Sequence, residues 1–352
     1  MISNGYIRKI LDSFYACGKL DKQYTIVFVY NDAKNTDCEH ITESITPIEL
    51  KMIIGSFQKI CQNVYYYDSE LSFLYNIEQL KREYKYILVY SMAQNLRGVG
   101  RRALVPLLCK YFNLINISSG ELASFLSGNK QLMNLIITNS QAGFRIPFSL
   151  YVNVKDIDSK EKITAQLEDG KYIIKPIDES ASIGVTPIEL TTSNRSEIYE
   201  YIMKYSRTYP FFHIQEFIDG DEVEVPLFKL STDYFCPGVC QIVFDEDISF
   251  LDYDTVGLDA YSFALYKDNN SRVIEAAVRI ADTLQFYTLS RIDFRIKDGI
   301  PYVIDIGANP TISYHSSTNF LFRSVFDNES SVYHLLVVIA LIKNGLFKPP
   351  LD

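Results

Sequence analysis

The chain of 352 residues has no tryptophan, only four histidines and only six cysteines. The cysteines, at 17, 38, 61, 109, 236 and 240, are scattered. Cys236 and Cys240 form a CxxxC pair, but no second pair or histidine cluster completes a zinc site. They read as ordinary reduced thiols, which fits a reducing cytoplasm. There is no basic block: 34 basic residues face 43 acidic ones, for a net charge of −9. That balance argues against a nucleic-acid or membrane-surface partner. Long apolar runs are also missing. The amino terminus lacks the core of a signal peptide. The most apolar helical stretch, 334–342, is too short to span a bilayer and reads as core or as part of a subunit interface. No internal repeat or low-complexity tract breaks the chain. What remains is ample material for a core, with 47% hydrophobic residues and a mean hydropathy near zero. The length suits two or three packed domains.

Patterning divides the chain in two. Residues 1–18 read as an amphipathic helix with Ile7, Ile10, Leu11 and Phe14 on one stripe and Gly18 at its end. Strands at 24–30, 64–67 and 86–90 alternate with helices at 48–61 and 71–84, which argues for a parallel α/β sheet. A helix at 103–112 and a short strand at 114–117 close this unit. Residues 121–140 read as one long helix. After Pro147 the order changes to strands in hairpin-like succession: 171–176, 211–218, 222–229 and 238–244, with helices at 193–205 and 270–286. The stretch 251–261 reads as irregular. The expected fold class is therefore α/β, with α+β character in the carboxy-terminal half.

The most informative stretch is 288–316, TLSRIDFRIKDGIPYVIDIGANPTISYHS. Its first strand alternates by twos, with Ile292, Phe294 and Ile296 against Arg291, Asp293 and Arg295. Lys297-Asp298-Gly299 signals a turn into a second alternating run. A two-residue loop would pair Asp293 with Ile304 and split the carboxylates between faces. A three-residue loop with Gly299 left-handed pairs Phe294 with Tyr302, Ile292 with Ile304 and Arg291 with Asp305. That register keeps one face for the core and is preferred. It gathers Asp293, Asp305 and Arg291 on the other face, where two carboxylates repel unless a cation sits between them. Oxygen ligands beside a basic residue suggest Mg²⁺ carrying phosphate. The alternative is a surface hairpin with a solvated ion pair.

Other elements fit a nucleotide. Lys175 ends a strand before the small-residue loop 180–184, where a lysine and backbone N–H groups can hold phosphate. Lys130 follows Gly128 on the long helix. The strand 211–218, followed by Glu222, offers backbone for a base and a carboxylate for ribose hydroxyls. Each alone is weak, since a strand-end lysine is usually solvated.

Taken together, SSGELASFLSGNK (118–130), YIIKPIDESASIGV (172–185), QEFIDGDEVEV (215–225) and RIDFRIKDGIPYVIDIGANPTISYHS (291–316) resemble the ATP-grasp enzymes, specifically the D-alanine:D-alanine ligase group. The resemblance covers roughly three-fifths of the chain. It implies an ATP-grasp fold with a Rossmann-like amino-terminal domain at 1–117, a central lid domain at 118–217 and a carboxy-terminal domain at 218–352. It implies an ADP-forming, C–N bond-forming ligase that uses ATP and one or two Mg²⁺, acts on small amino acids or amines and is a cytoplasmic homodimer. By matching position, Lys130 and Lys175 look like the phosphate lysines. Gln215, Glu216, Phe217 and Ile218 look like the hinge around adenine, and Glu222 like the ribose ligand. Asp293 and Asp305 look like metal ligands, with Asn309 nearby. Arg291 resembles the arginine that stabilises the tetrahedral oxyanion, helped by a backbone N–H near Thr311. Ser316, after His315, resembles the serine that holds the second substrate's carboxylate. Glu39, in Cys38-Glu39-His40, resembles the glutamate that receives the first substrate's ammonium.

The pattern also departs from that family. An asparagine metal ligand is replaced by Gly307, and the acidic ligand is the shorter Asp305. The lid serine is Ala181, with Ser182 beside it. The covering loop, LDYDTVG (251–257), has Val256 and Gly257 where a lysine and a tyrosine stand. These changes weigh on substrate closure more than on ATP binding, because a lost hydrogen-bond donor shifts discrimination by orders of magnitude. The reading is a carboxylate–amine ligase for a pair other than D-alanine with D-alanine. A true D-alanine:D-alanine ligase and a catalytically inactive nucleotide-binding protein stand as alternatives.

Overall fold

A computed structural model describes the chain except for residues 33–43, 95–97, 99, 141–142, 158, 160, 180–181, 192, 245–259, 269, 327, 329 and 352. Among the described residues the strands form three sheets.

The first sheet is built from β1 (Tyr24–Val29), β2 (Val64–Tyr67), β3 (Tyr86–Ser91) and β4 (Ile115–Asn116), between helices α1 (Asn4–Ala16), α2 (Pro47–Ile60), α3 (Glu70–Glu83) and α4 (Leu104–Phe112). Its order is β2-β1-β3-β4 and every pairing is parallel. A parallel sheet is covered on both faces, so its central strands read as unbroken apolar runs. Ile26, Val27, Phe28 and Val29 are accordingly fully buried. Helix α2 starts on a capping box: Thr46 caps Glu49, whose carboxylate returns to the Thr46 N–H, and Pro47 follows at the first turn.

The region 121–140 differs from the expected single helix. It forms α5 (Glu121–Leu126) and α6 (Lys130–Thr138). The break falls at Ser127-Gly128-Asn129, where the Asn129 side chain accepts from the Leu132 N–H at 2.9 Å. Glycine weakens helix continuity and asparagine favours a cap, so this tripeptide stops one helix and starts another. Lys130 thereby becomes the first residue of α6.

The second sheet has the order β5-β8-β6-β7, from β5 (Ser149–Asn153), β6 (Gly170–Pro176), β7 (Thr186–Leu190) and β8 (Phe211–Glu216), all antiparallel. Helices α7 (Glu161–Thr164) and α8 (Ser196–Tyr205) close its core. The third sheet runs β12-β11-β9-β13-β14. It comprises β9 (Asp221–Leu230), β11 (Cys240–Phe244), β12 (Tyr261–Leu265), β13 (Leu289–Lys297) and β14 (Ile300–Gly307), with β10 (Asp233–Phe235) beside β9. Tyr261 thus opens a strand rather than ending an irregular stretch. Helix α9 (Asn270–Thr283) covers the apolar face through Val273, Ala277 and Ile280.

Helices α10 (Ser317–Val325) and α11 (Ser331–Lys343) end the fold. Every residue of α11 from Ser331 to Leu341 is buried. A helix apolar on all sides belongs inside a core. This one packs against α1, α2 and β9, joining the first sheet to the third in one cluster.

The hairpin β13–β14 departs from the preferred register. Asp298 (φ 52°) and Gly299 (φ 70°) are both left-handed, and Lys297 pairs with Ile300 across a two-residue turn. This is the type I′ geometry that Asp-Gly favours. Phe294 then pairs with Val303, not Tyr302. The carboxylates still reach one face because a β-bulge follows: Asp293 pairs with Asp305, leaving Ile304 as the extra residue. One inserted residue reverses the facing of everything beyond it.

Candidate active site

The faces of β9, β13 and β14 that α9 does not cover, together with β6, β8 and α6, line one cavity of about 420 Å³. Volumes of this order suit a small-molecule site.

At one end lie the lysines. Lys175 is the sixth residue of β6, only 8% exposed, and its Nζ donates to Gln215 Oε1 at 3.0 Å and to the Ile304 carbonyl at 3.1 Å. The bulge therefore has a second effect: the extra residue turns its carbonyl onto Lys175. Burial pushes the Lys175 ammonium down to about 8, with Lys130 adding to the effect and Asp305 opposing it. Lys130 Nζ donates to the Glu179 carbonyl at 2.5 Å, and its backbone N–H donates to the Ile177 carbonyl. Burial alone would raise the Asp305 carboxyl, but Lys130, Lys175 and Arg291 outweigh it and hold it below its ordinary range.

The middle of the cavity is held by Arg291. Its Nε and Nη2 reach the two Asp293 oxygens at 2.8 Å each, and Nη2 lies 3.2 Å from Glu224 Oε1. Glu224 also accepts from Ser317 Oγ at the start of α10. Burial pushes Asp293 up to about 7, with Glu224 adding to the shift and Arg291 opposing it. Glu224 is raised for the same first reason, burial. Burial disfavours the charge on Arg291, yet Asp293 and Glu224 keep it protonated.

A second buried pair also lines the cavity. Arg295 donates to Glu222 Oε2 from Nε (3.1 Å) and Nη2 (2.7 Å), and from Nη1 to the Ile218 carbonyl at 3.2 Å. Its guanidinium lies 4.5 Å from the centre of the Phe217 ring. Glu222 is 7% exposed, so it is no solvated surface glutamate. Gln215, Glu216, Phe217 and Ile218 line the same cavity, although the Phe217 N–H is already used by the Lys171 carbonyl.

The remaining expected residues fall as follows. Ser182, with φ +57°, and Thr311 line the cavity. Asn309 also lines it; its Nδ2 donates to the Ser91 carbonyl at 2.7 Å, which aims Oδ1 elsewhere. His315 sits between the Tyr261 and Phe263 rings, each at 4.8 Å. Ser316 caps α10, accepting from the Asn319 N–H and donating to the Ser313 carbonyl at 3.0 Å. Glu39, Ala181, Val256 and Gly257 lie outside the described residues. Sequence reasoning missed Glu224, Ser317 and the Arg295–Glu222 pairing. The alternation Glu222-x-Glu224 on a strand was a signal, since it puts both side chains on one face.

Do these residues suit Mg²⁺ and a triphosphate? Among the described residues no three His, Cys, Asp or Glu side chains group as a metal site. A buried carboxylate, Asp293, a half-buried one, Asp305, and the Asn309 amide are the available set. That is the donor type Mg²⁺ uses when phosphates and water complete its shell. Asp305 held ionised between two lysines fits as well.

Two antiparallel-rich sheets closing on a cavity with two lysines from one side and two carboxylates from the other define an ATP-grasp fold. The family model for the D-ala D-ala ligase C-terminus matches residues 142–338. The chain belongs to the D-alanine:D-alanine ligase family. It is similar to the D-alanine--D-alanine ligases of Coprothermobacter proteolyticus (24% identical over 205 residues, 57% of this chain and 65% of that protein) and Flavobacterium psychrophilum (26% over 218 residues, 59% and 63%). The match spans just under two thirds of the length of these relatives. Among solved structures, the D-alanine--D-alanine ligase of Bacillus anthracis superposes with a TM-score of 0.70 at 15% identity, covering 92% of this chain and 99% of that one. The VanG D-Ala:D-Ser ligase of Enterococcus faecalis gives 0.66 at 14%, covering 90% and 99%.

Proposed function

We propose that the chain is an ATP-dependent carboxylate–amine ligase, ADP-forming, whose substrate pair differs from D-alanine with D-alanine. The observation that carries the reading is the meeting of Lys130, Lys175, Asp293, Asp305 and Arg291 around one cavity, from segments up to 175 residues apart in the chain. The working domain division is 1–117, 118–217 and 218–352.

Lys130 and Lys175 neutralise the triphosphate, and Asp293, Asp305 and the Asn309 amide would hold Mg²⁺. When bound, the metal offsets the charge of one anion approaching another. The Gln215–Ile218 segment seats the base and Glu222 the ribose. The donor carboxylate takes the γ-phosphoryl group, and ADP leaves. The amine nitrogen then forms a C–N bond with the acyl carbon as the C–O bond to phosphate breaks. Phosphate departs with that electron pair, and the amine gives up its proton. Arg291 faces the oxygen that becomes negative in this step. Ser182, beside the cavity, belongs to a lid that keeps water off the activated acid.

The test is a mass-spectrometric screen for ATP-dependent condensation products from pooled L- and D-amino acids and amines. D-alanyl-D-alanine as the dominant product would return the chain to the substrate named for its relatives. Gly307 at a position of metal ligation favours a second reading, a nucleotide-binding protein without turnover. ATP binding with no product across the whole panel would select that one.

A further inference from the structure

We infer that the acceptor end of the cavity takes a primary amine with no carboxylate beside it, such as a diamine or an arylalkylamine, rather than an α-amino acid. This rests on the ligase reading above.

The sheet order sets the direction. Asp305 and Asp293 stand on β14 and β13, Arg291 beside them on β13, Glu224 on β9, and Tyr261 and Phe263 on β12 beyond β11. Moving away from the lysines, the cavity passes Arg291, then Glu224, then an aromatic wall that includes His315.

An anionic group arriving here needs a seat, and the protein already fills it. Glu224 lies at the amino terminus of α10, accepts from Ser317 Oγ and pairs with Arg291. A helix start, a hydroxyl and a guanidinium are what a substrate carboxylate would use. Arg291 is shared further, since both Asp293 oxygens also lie on it. One cation thus faces two carboxylates. The other described cations lining the cavity have partners elsewhere: Lys175 at Gln215, Lys130 and Arg101 at Glu179, Arg295 at Glu222, and Arg102 at Gln94. Ser316, the residue expected to hold a carboxylate, spends its hydroxyl on capping α10.

A second carboxylate would therefore enter beside Glu224 and Asp293, where the guanidinium paired with them, Arg291, is already shared by both, and like charges at that range repel. An ammonium meets the reverse: a carboxylate short of counter-charge, then ring faces that attract cations and bury an alkyl or aryl stem.

The experiment uses the full chain with ATP, MgCl₂ and pooled L- and D-amino acids as donors. Putrescine, tyramine, D-alanine and D-serine compete as acceptors in equal amounts, and a parallel reaction contains hydroxylamine, a small neutral trap for any activated acid. The expected result is that amides of putrescine or tyramine exceed dipeptides at least tenfold. Glu224→Thr, which empties the seat, is expected to lower that ratio at least tenfold. Dipeptides in equal or greater yield, or a ratio unmoved in Glu224→Thr, overturns the assignment. Hydroxamates without amine amides also overturn it while leaving the ligase reading intact. Absence of hydroxamates and of every ATP-dependent product removes both. Calorimetric titration of the wild-type chain, saturated with a non-hydrolysable ATP analogue, is a second readout that needs no variant: tyramine is expected to bind more tightly than D-alanine, and the opposite order overturns the proposal.

Discussion

Replacing Arg295 with methionine isolates the buried Arg295–Glu222 pair. Arg295 and Glu222 are 4% and 7% exposed, and three guanidinium hydrogen bonds link them to each other and to the Ile218 carbonyl. Methionine keeps most of the stem but leaves Glu222 without its counter-charge. The carboxylate then escapes most cheaply by binding a proton. Taking that proton at pH 7, from an ordinary glutamate value of about 4.3, costs about 3–4 kcal/mol. This agrees with the roughly 3–5 kcal/mol seen when one partner of a buried pair is removed. Each pH unit downward lowers the cost by about 1.4 kcal/mol. The sign is definite: the variant's folded state binds more protons than its unfolded state, so its deficit grows as pH rises and shrinks towards pH 5. Urea unfolding followed by circular dichroism at pH 5.5 and pH 7.5, with Glu222→Gln/Arg295→Met alongside, reads this directly. The double variant is expected to recover most of the loss at pH 7.5. A single variant as stable as wild type, or a deficit that does not change with pH, would refute the reasoning.

Arg291→Ala is expected to lower amide formation by about 10²–10³, the usual effect of one oxyanion donor, while changing ATP affinity little. Equal loss of both, by equilibrium nucleotide binding, would count against that role. At Gly307 an added Cβ would lie 3.8 Å from the nearest atom, ordinary contact, so Gly307→Asn is expected to fold and to lower the Mg²⁺ needed for half-maximal nucleotide binding severalfold. An unchanged Mg²⁺ titration would show that this position does not reach the metal. His334 lies between the Tyr15 hydroxyl and the Ser56 carbonyl, and burial holds it down at about 4. Its folded value is below the unfolded value of about 6.5, so its stabilisation is complete above pH 6.5 and is lost as pH falls towards 4; by pH 5 the loss reaches about 2 kcal/mol. A His334→Gln chain with the same pH slope of unfolding free energy as wild type would refute this.

Much of this protein was legible along the chain. Alternation put Arg291, Asp293 and Arg295 on one strand face, and unbroken apolar strands between amphipathic helices announced the parallel sheet, because side-chain periodicity is a local property of the backbone. Local chemistry also misled where two signals competed. The Ser127-Gly128-Asn129 break was hidden inside an apolar periodic run, and the Asp-Gly turn called for a register that, without a bulge, separates the carboxylates. Tertiary structure decided that point, since a bulge at Ile304 is set by the strand across from it and by Lys175, whose ammonium donates to the Ile304 carbonyl. The same holds for the partners of each charge. Glu222 finds Arg295 and Glu224 finds Arg291 and Ser317 only because β9 lies beside β13 and α10 packs against β9. A strand carries its own facing in its residues, but its neighbour is chosen by the packing of the whole chain.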